Sequence, residues 1–179
     1  MITNSRVLYV LVCASGAAGE VGRLVALAQA DGWTVQVVAT PSALAFIDSD
    51  ALAEQTGRPV RSHYRLPSEP RPPRPDAVIL APATYNTVNK FALGIADTYV
   101  LGLLAEAPGL GIPVVVLPYV NRALAARLPF RRSVGQLRAE GVTVLFGPGQ
   151  WEPHDTADGA AALAAFPWSL ALRALKGDE

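Results

Sequence analysis

The chain has 179 residues, 51% of them hydrophobic and 17% charged, and its fifteen Lys plus Arg balance fifteen Asp plus Glu to a formal net charge of zero. That length suits one α/β domain with a sizeable core, and the charge balance leaves no basic excess to neutralise nucleic-acid phosphates. One cysteine and two histidines exclude an intrachain disulfide framework and argue against a metal site, and no apolar run approaches the ~20 residues of a membrane-spanning helix.

The first element is Val7-Leu8-Tyr9-Val10-Leu11-Val12-Cys13, an unbroken apolar run that reads as a strand covered on both faces of a parallel sheet. Small residues follow at 14–19. A helix is predicted over 20–30, with Val21, Leu24, Val25, Leu27 and Ala28 at helical spacing and Asp31-Gly32 as its stop. The second strand is predicted over 33–39. Thr40-Pro41-Ser42 then opens a second helix carrying Leu44, Phe46 and Ile47, with the proline in its first turn.

Residues 57–75 differ from their surroundings. They hold six prolines (59, 67, 70, 72, 73 and 75) and five arginines (58, 61, 65, 71 and 74). That proline density forbids a regular helix or a central strand, so the segment is expected to be an extended surface loop. Its arginines read either as a surface that recruits an acidic substrate or as a solvated loop.

A third strand is predicted over 76–80, a turn over 81–87 and one long helix over 88–105. A fourth strand at 112–117 leads to a turn at 118–121. A helix at 131–140, a fifth strand at 142–146 and a terminal helix over 160–175, interrupted at Pro167, complete the chain. Strands alternating with helices predict a single-domain, doubly wound, Rossmann-like parallel sheet, in which ligands bind beyond the carboxyl ends of the strands. The low charge predicts a homo-oligomer that buries subunit faces, and residues 1–6 lack the pattern of a cleaved leader, so a soluble, cytoplasmic protein is expected.

The strand ends are rich in Gly, Ser, Thr, Asn and Pro. The turn Ala14-Ser15-Gly16-Ala17-Ala18 is small enough for a phosphate to approach backbone N–H groups, yet it has neither the G-x-G-x-x-G nor the P-loop spacing. It reads either as a mononucleotide phosphate cradle or as a plain turn capped by Ser15. Thr40 and Ser42 offer two hydroxyls at the next strand end, for a phosphate or for ordinary capping. The segment 81–100, APATYNTVNKFALGIADTYV, sets Asn86, Thr87, Asn89, Lys90 and Asp97 beside an apolar strand, a density hard to explain as core.

The stretch 81–90 resembles the PASANT motif of the homo-oligomeric flavin-containing cysteine decarboxylases, and Gly94-Ile95-Ala96-Asp97 resembles the G-I-x-D that follows it. The similarity runs from about Val7 to Phe146. It implies an FMN cofactor at the strand ends and a trimer or trimer-based assembly. Ser15 and Gly16 are then expected to line the phosphate and flavin pocket, with Thr40 and Ser42 as further phosphate contacts. Ala83, Thr84 and Thr87 complete the expected cofactor set, and Asn86 is expected to hold the substrate carboxylate. The family's active-site histidine, which precedes the third strand, corresponds to His63. Of the family's second motif, PxMNxxMW, the stretch 118–125 keeps Pro118 and Asn121, and Asn121 is expected to support the same end of the substrate.

No cysteine lies in residues 147–159, where phosphopantothenoylcysteine decarboxylases carry the acid that reprotonates a reduced product. The resemblance therefore implies the oxidative reaction, which stops at an enethiol, on a cysteine-containing substrate such as a peptide C-terminus. Two other readings stay open: a flavin prenyltransferase-like enzyme, and a flavin-binding or regulatory subunit without catalysis. Cys13, inside the first strand, is expected to be inert.

Overall fold

The computed structural model describes residues 6–177. The five predicted strands are all present: β1 (Val7–Val12), β2 (Thr34–Ala39), β3 (Ala77–Ala83), β4 (Val114–Pro118) and β5 (Thr143–Val144). They form one parallel sheet in the order β2-β1-β3-β4-β5. Strand order reverses between β1 and β3, and such a switch point opens a crevice outside the strand ends. The helices are α1 (Gly22–Ala30), α2 (Ser49–Thr56), α3 (Tyr85–Ala92), α4 (Tyr99–Glu106), α5 (Arg122–Ala125), α6 (Leu128–Ala139), α7 (Gly159–Ala165) and α8 (Trp168–Ala174). None among the described residues is long and apolar enough to cross a membrane.

Because side chains alternate along a strand, each apolar run feeds two cores. Leu8, Val10 and Val12 of β1 join Ile79 and Leu117 against Leu24 and Val25 of α1 and Trp168 and Leu172 of α8. Tyr9 and Leu11 point the other way, to Val88 of α3, Val100 and Leu104 of α4, and Phe130 and Leu137 of α6.

Two departures from the sequence reading shape the crevice. First, β3 does not stop at Leu80 but runs through a cis Ala81–Pro82 bond to Ala83. Leu80 pairs with Val116 and Ala83 with Pro118, so three steps on β3 match two on β4. The extra residue makes a bulge, where a proline without an N–H can sit in a central strand. The Pro82 carbonyl still accepts from Cys13 N at 3.1 Å, and the Ala83 carbonyl from Tyr119 N at 2.8 Å.

Second, the long helix expected over 88–105 is two helices. Gly94 takes φ +70°, its N–H bonds the Phe91 carbonyl at 3.0 Å, and Ile95 N bonds the Lys90 carbonyl at 2.9 Å. This is a Schellman stop, open to glycine because it lacks a Cβ. Thr98 then caps α4, its Oγ1 accepting from Leu101 N at 3.2 Å. Near Thr40 there is likewise only a 3-10 turn, Pro41–Ala45, and the helix proper waits for the Asp48 cap of α2.

The proline- and arginine-rich segment starts by covering the sheet edge. The Arg61 carbonyl accepts from Ala39 N at 2.7 Å and Arg61 N donates to the Val37 carbonyl at 3.1 Å, which pairs an otherwise open β2 edge. Its far end is tied by the Tyr9 hydroxyl, which donates to the Pro73 carbonyl at 2.7 Å.

Candidate functional site

A cleft of about 410 Å³ opens at the carboxyl ends of β1, β2 and β3. The size lies within the ~300–1,000 Å³ typical of small-molecule sites. Its walls are Cys13 and Ala14 after β1, Thr40 and Ser42 after β2, Thr84, Asn86, Thr87 and Lys90 at the start of α3, and Thr98 and Leu101 of α4. An apolar groove of about 350 Å³ around Val78, Leu103 and Ile112 lies at the other end of the strands, where this sheet architecture does not put ligands.

Thr40, Ser42, Thr84, Asn86 and Thr87 thus line one cleft, as expected. Three hydroxyls are engaged in structure: Thr40 Oγ1 accepts from Ala43 N at 3.3 Å, Thr84 Oγ1 accepts from Thr87 N at 3.3 Å and donates to Thr87 Oγ1 at 3.1 Å, and Thr87 Oγ1 also accepts from Cys13 Sγ. Asn86 is exposed, and no protein group bonds its amide among the described residues. Ala83 is fully buried in β3 and, like Ser15 and Gly16, is not among the residues lining the cleft. Ser15 and Gly16 form the turn next to Ala14. The Ser15 Oγ is shut off from solvent yet has no hydrogen-bond partner. An orphaned buried hydroxyl costs about 1–3 kcal/mol, a cost that a ligand oxygen would relieve.

Hydroxyls at two strand ends, backbone approach at Gly16 and a single lining cation make a donor set suited to a phosphate monoester. That cation, Lys90, is ion-paired with Asp97 at 2.5 Å across the break between α3 and α4. Lys90, Thr98 and Leu101 were not singled out as site residues from the sequence. An Asp-Thr pair ahead of an apolar run is the capping signal that marks the start of α4.

His63 and Asn121 do not line the cleft. His63 is exposed, with its Nδ1 2.7 Å from the Ser62 Oγ. It lies between two anchors. Arg61 is paired to β2, and the Tyr64 ring packs on Tyr99 at 4.9 Å and over Gly102 of α4, where any Cβ would run into the Tyr64 hydroxyl. These anchors hold His63 between the elements that supply Thr40 and Thr98. Asn121 follows β4 and caps α5, its Oδ1 accepting from Leu124 N at 3.0 Å.

Tyr119, near Asn121, lies against the Ser15–Gly16 turn. A Cβ at Gly16 would meet its ring at 3.6 Å, and its hydroxyl donates to the Gly159 carbonyl at 3.0 Å. Burial raises the Tyr119 phenol pKa, so the group stays protonated at neutral pH.

Cys13 sits at the floor of the cleft, 1% exposed. Its Sγ donates to Thr87 Oγ1 at 3.3 Å, and burial pushes the thiol pKa up, outweighing the hydrogen bonds to Thr87 and Thr84 that lower it. A raised thiol holds little thiolate, the reactive form. Iodoacetamide at neutral pH is therefore expected to leave the native protein unlabelled while the denatured chain takes up one label, checked by intact mass.

The chain has relatives among known proteins. The chain matches the family model described as Flavoprotein over residues 1–166. Among solved structures it is similar to the FMN-dependent cysteine decarboxylase TvaF from thioviridamide biosynthesis, at 26% identity and TM-score 0.71, covering 94% of this chain and 99% of that one. A PPC decarboxylase variant complexed with pantothenoylaminoethenethiol shares the fold at 19% identity and TM-score 0.70, covering 97% of this chain and 100% of that one. So does the epidermin biosynthesis protein EpiD from Staphylococcus aureus, at 21% identity and TM-score 0.67, with 78% and 81% covered. A dihydromethanopterin reductase (acceptor) from Methanosarcina mazei is 38% identical over 58 residues, which is 32% of this chain and 24% of the reductase. The chain thus matches about a quarter of that curated relative's length. With the family match spanning residues 1–166, this chain belongs to the Flavoprotein family.

Proposed function

We propose that the protein binds FMN in the cleft at the ends of β1, β2 and β3 and catalyses oxidative decarboxylation of a substrate ending in cysteine. The observation that supports the cofactor assignment is the pair of hydroxyls, Thr40 and Ser42, lining the strand-end cleft, with the buried, unpartnered Ser15 hydroxyl one residue beyond the cleft-lining Ala14. Those three side chains would hold the phosphate, and Thr84 and Thr87 would border the flavin ring. FMN, when bound, accepts the two electrons that leave the cysteine carbon–sulfur unit, which makes the neighbouring carboxylate able to depart as CO2.

The chain's own groups orient that substrate. Asn86 hydrogen-bonds the carboxylate without neutralising it. A cation there would stabilise the bound carboxylate more than the transition state, from which that charge is leaving. His63 takes up a substrate proton, a task suited to an imidazole near neutral pH. Asn121 supports the same end of the substrate from β4. The transfer of a prenyl group from its phosphate would call for cationic charge beyond that beside the FMN phosphate, and among the described residues Lys90, paired with Asp97, is the only cation lining the cleft. We also infer a homo-oligomer, because Phe46, Leu93 and Ile95 stand 51%, 70% and 41% exposed and a second copy would cover them.

The test uses the purified chain. Flavin absorbance that survives gel filtration is expected, together with a mass loss of about 46 Da, CO2 plus two hydrogens, from a peptide ending in cysteine. His63→Asn is expected to keep the flavin and lose turnover. A protein that stays colourless in excess FMN overturns the assignment.

A further inference from the structure

Among the described residues lining the cleft, only Lys90 carries a charge, and it does so beside the amide proposed to hold the substrate. Asn86 and Lys90 both line the cleft from α3. Residues with this i, i+4 spacing lie on one face of a helix, with Cβ atoms about 5–6 Å apart. Thr40 and Ser42, by contrast, reach the cleft from the end of β2. A bare cation next to Asn86 would work against decarboxylation, since it stabilises the bound acid more than a transition state that is losing that charge.

Lys90 is not bare. Its Nζ meets Asp97 Oδ2 at 2.5 Å, and Asp97 is not among the residues lining the cleft. The ammonium therefore borders the cleft while its counter-charge stands outside it. The fold has little need of the pair. Main-chain bonds from Gly94 N to the Phe91 carbonyl and from Ile95 N to the Lys90 carbonyl end α3, and the Thr98 cap starts α4. The two side chains are 28% and 49% exposed, and ion pairs that wet contribute little to stability. What the pair does change is the potential inside the cleft.

We propose that Asp97 is a positioning residue that masks the charge of Lys90, so that the cleft attracts a substrate carboxylate without gripping it. Asp97 holds the ammonium and cancels part of its field, and Asn86 is left to orient the acid. The assignment rests on the substrate class proposed above and adds the residue that sets the balance between binding and turnover.

The test uses FMN-loaded protein, a short peptide ending in cysteine for turnover and its serine-ended twin, which keeps the carboxylate and lacks the thiol, for binding. Asp97→Asn leaves the cation unmasked. It is expected to bind the serine-ended peptide about tenfold more tightly and to lower kcat by about tenfold, with kcat/KM within about threefold of wild type. Lys90→Met leaves the acid unmasked and is expected to bind the serine-ended peptide about tenfold more weakly. The double variant, neutral as the pair is, is expected to return that affinity to within about threefold of wild type. A purely structural latch would instead give losses in both single variants and no recovery in the double one. FMN affinity is expected to stay within about threefold of wild type, and Tm within about 4 °C, in all three. Serine-ended peptide binding that is unchanged or weaker in Asp97→Asn, a kcat that does not fall there, or a double variant no better than Lys90→Met overturns the assignment and leaves the proposed function standing. Tighter FMN binding in Asp97→Asn at unchanged peptide affinity overturns it too, because it puts Lys90 at the phosphate. A wild-type protein that binds FMN but neither peptide overturns the substrate class and this assignment together; one that binds no FMN overturns the proposed function itself.

Discussion

Replacing Asn86 by aspartate is expected to cut kcat/KM for a cysteine-ended substrate by about 10³-fold while leaving the fold slightly more stable. Two independent physical effects set these opposite signs. Asn86 stands exposed in the first turn of α3, at the wall of the cleft, and none of its neighbours uses its amide. An acidic side chain in the first turn of a helix gains roughly 0.3–1 kcal/mol from the helix dipole. The same carboxylate would face the substrate's own carboxylate. Two such charges about 4 Å apart repel by about 4 kcal/mol at the effective dielectric of a protein surface. Asn86→Ala removes the hydrogen bond without adding repulsion. A bond to a charged group is worth about 1.5–3 kcal/mol, so a loss of roughly 10- to 150-fold is expected. Steady-state kinetics and thermal unfolding, run on both variants with flavin occupancy measured by absorbance, check the ordering. Aspartate outperforming alanine in turnover would remove the carboxylate from this side chain.

The strand runs were legible in the sequence because burial on both faces leaves no polar alternation to confuse with a helix. The run at 7–13 contains β1, and the run at 112–117 holds β4 except its last residue, Pro118, expected in a turn. The polar cluster at 84–90 stood out against its apolar strand, yet only part of it is free for a ligand: Thr87 is buried and Asn89 accepts from Ser133 of α6, while Asn86 stands exposed. The break at Gly94 was not read. Ala92 and Ala96 on either side have good helix propensity, and one glycine in such company does not cancel it. The signal that decides the matter is joint: a glycine able to take φ +70° followed by a threonine that caps the next helix. Pro82 misled for a related reason. Its missing N–H argues for the end of a strand, and only the bulge against β4 lets the strand continue.

Tyr119 and His154 belong to another class. Their position depends on a segment that comes back to β4 after α6 and β5, and no local spacing encodes that return. The pairing of Asn121 with His154 joins residues 33 positions apart by the numbering of the two partners. Such contacts become visible only once the chain is folded. The turn at Ser15 was legible as an alternative between cap and cradle. The structure adds one fact the sequence lacked, namely that the Ser15 hydroxyl has no protein partner.

Phe130→Ala is expected to lower stability by about 3–5 kcal/mol, the range for removing a buried aromatic ring. For a domain of this size that corresponds to a fall of roughly 6–20 °C in Tm. Phe130 is 1% exposed and links three elements. Its ring stacks on Tyr85 at 5.8 Å and meets Phe146 edge-on at 5.3 Å. Tyr85 is the first residue of α3, next to Asn86, and Phe146 lies just beyond β5. Phe130 therefore fixes α6 against the turn that carries the site. The polar contacts of the same interface, Ser133 Oγ to Asn89 Oδ1 at 2.8 Å and Gln136 Nε2 to the Ala92 carbonyl at 2.6 Å, cannot replace that area, because each contributes only about 1 kcal/mol net. Phe130→Leu keeps most of the volume and is expected to cost less than about 1.5 kcal/mol. A double-mutant cycle with Tyr85→Ala should return a coupling of roughly 0.5–1.5 kcal/mol for the stacked pair. If the ring also positions the site, the alanine variant should bind flavin more weakly at temperatures well below its own Tm, and the leucine variant should not. A Tm drop under about 3 °C in the alanine variant would mean that the space refills and that α3 is held in place by the Thr84 cap and its own apolar face.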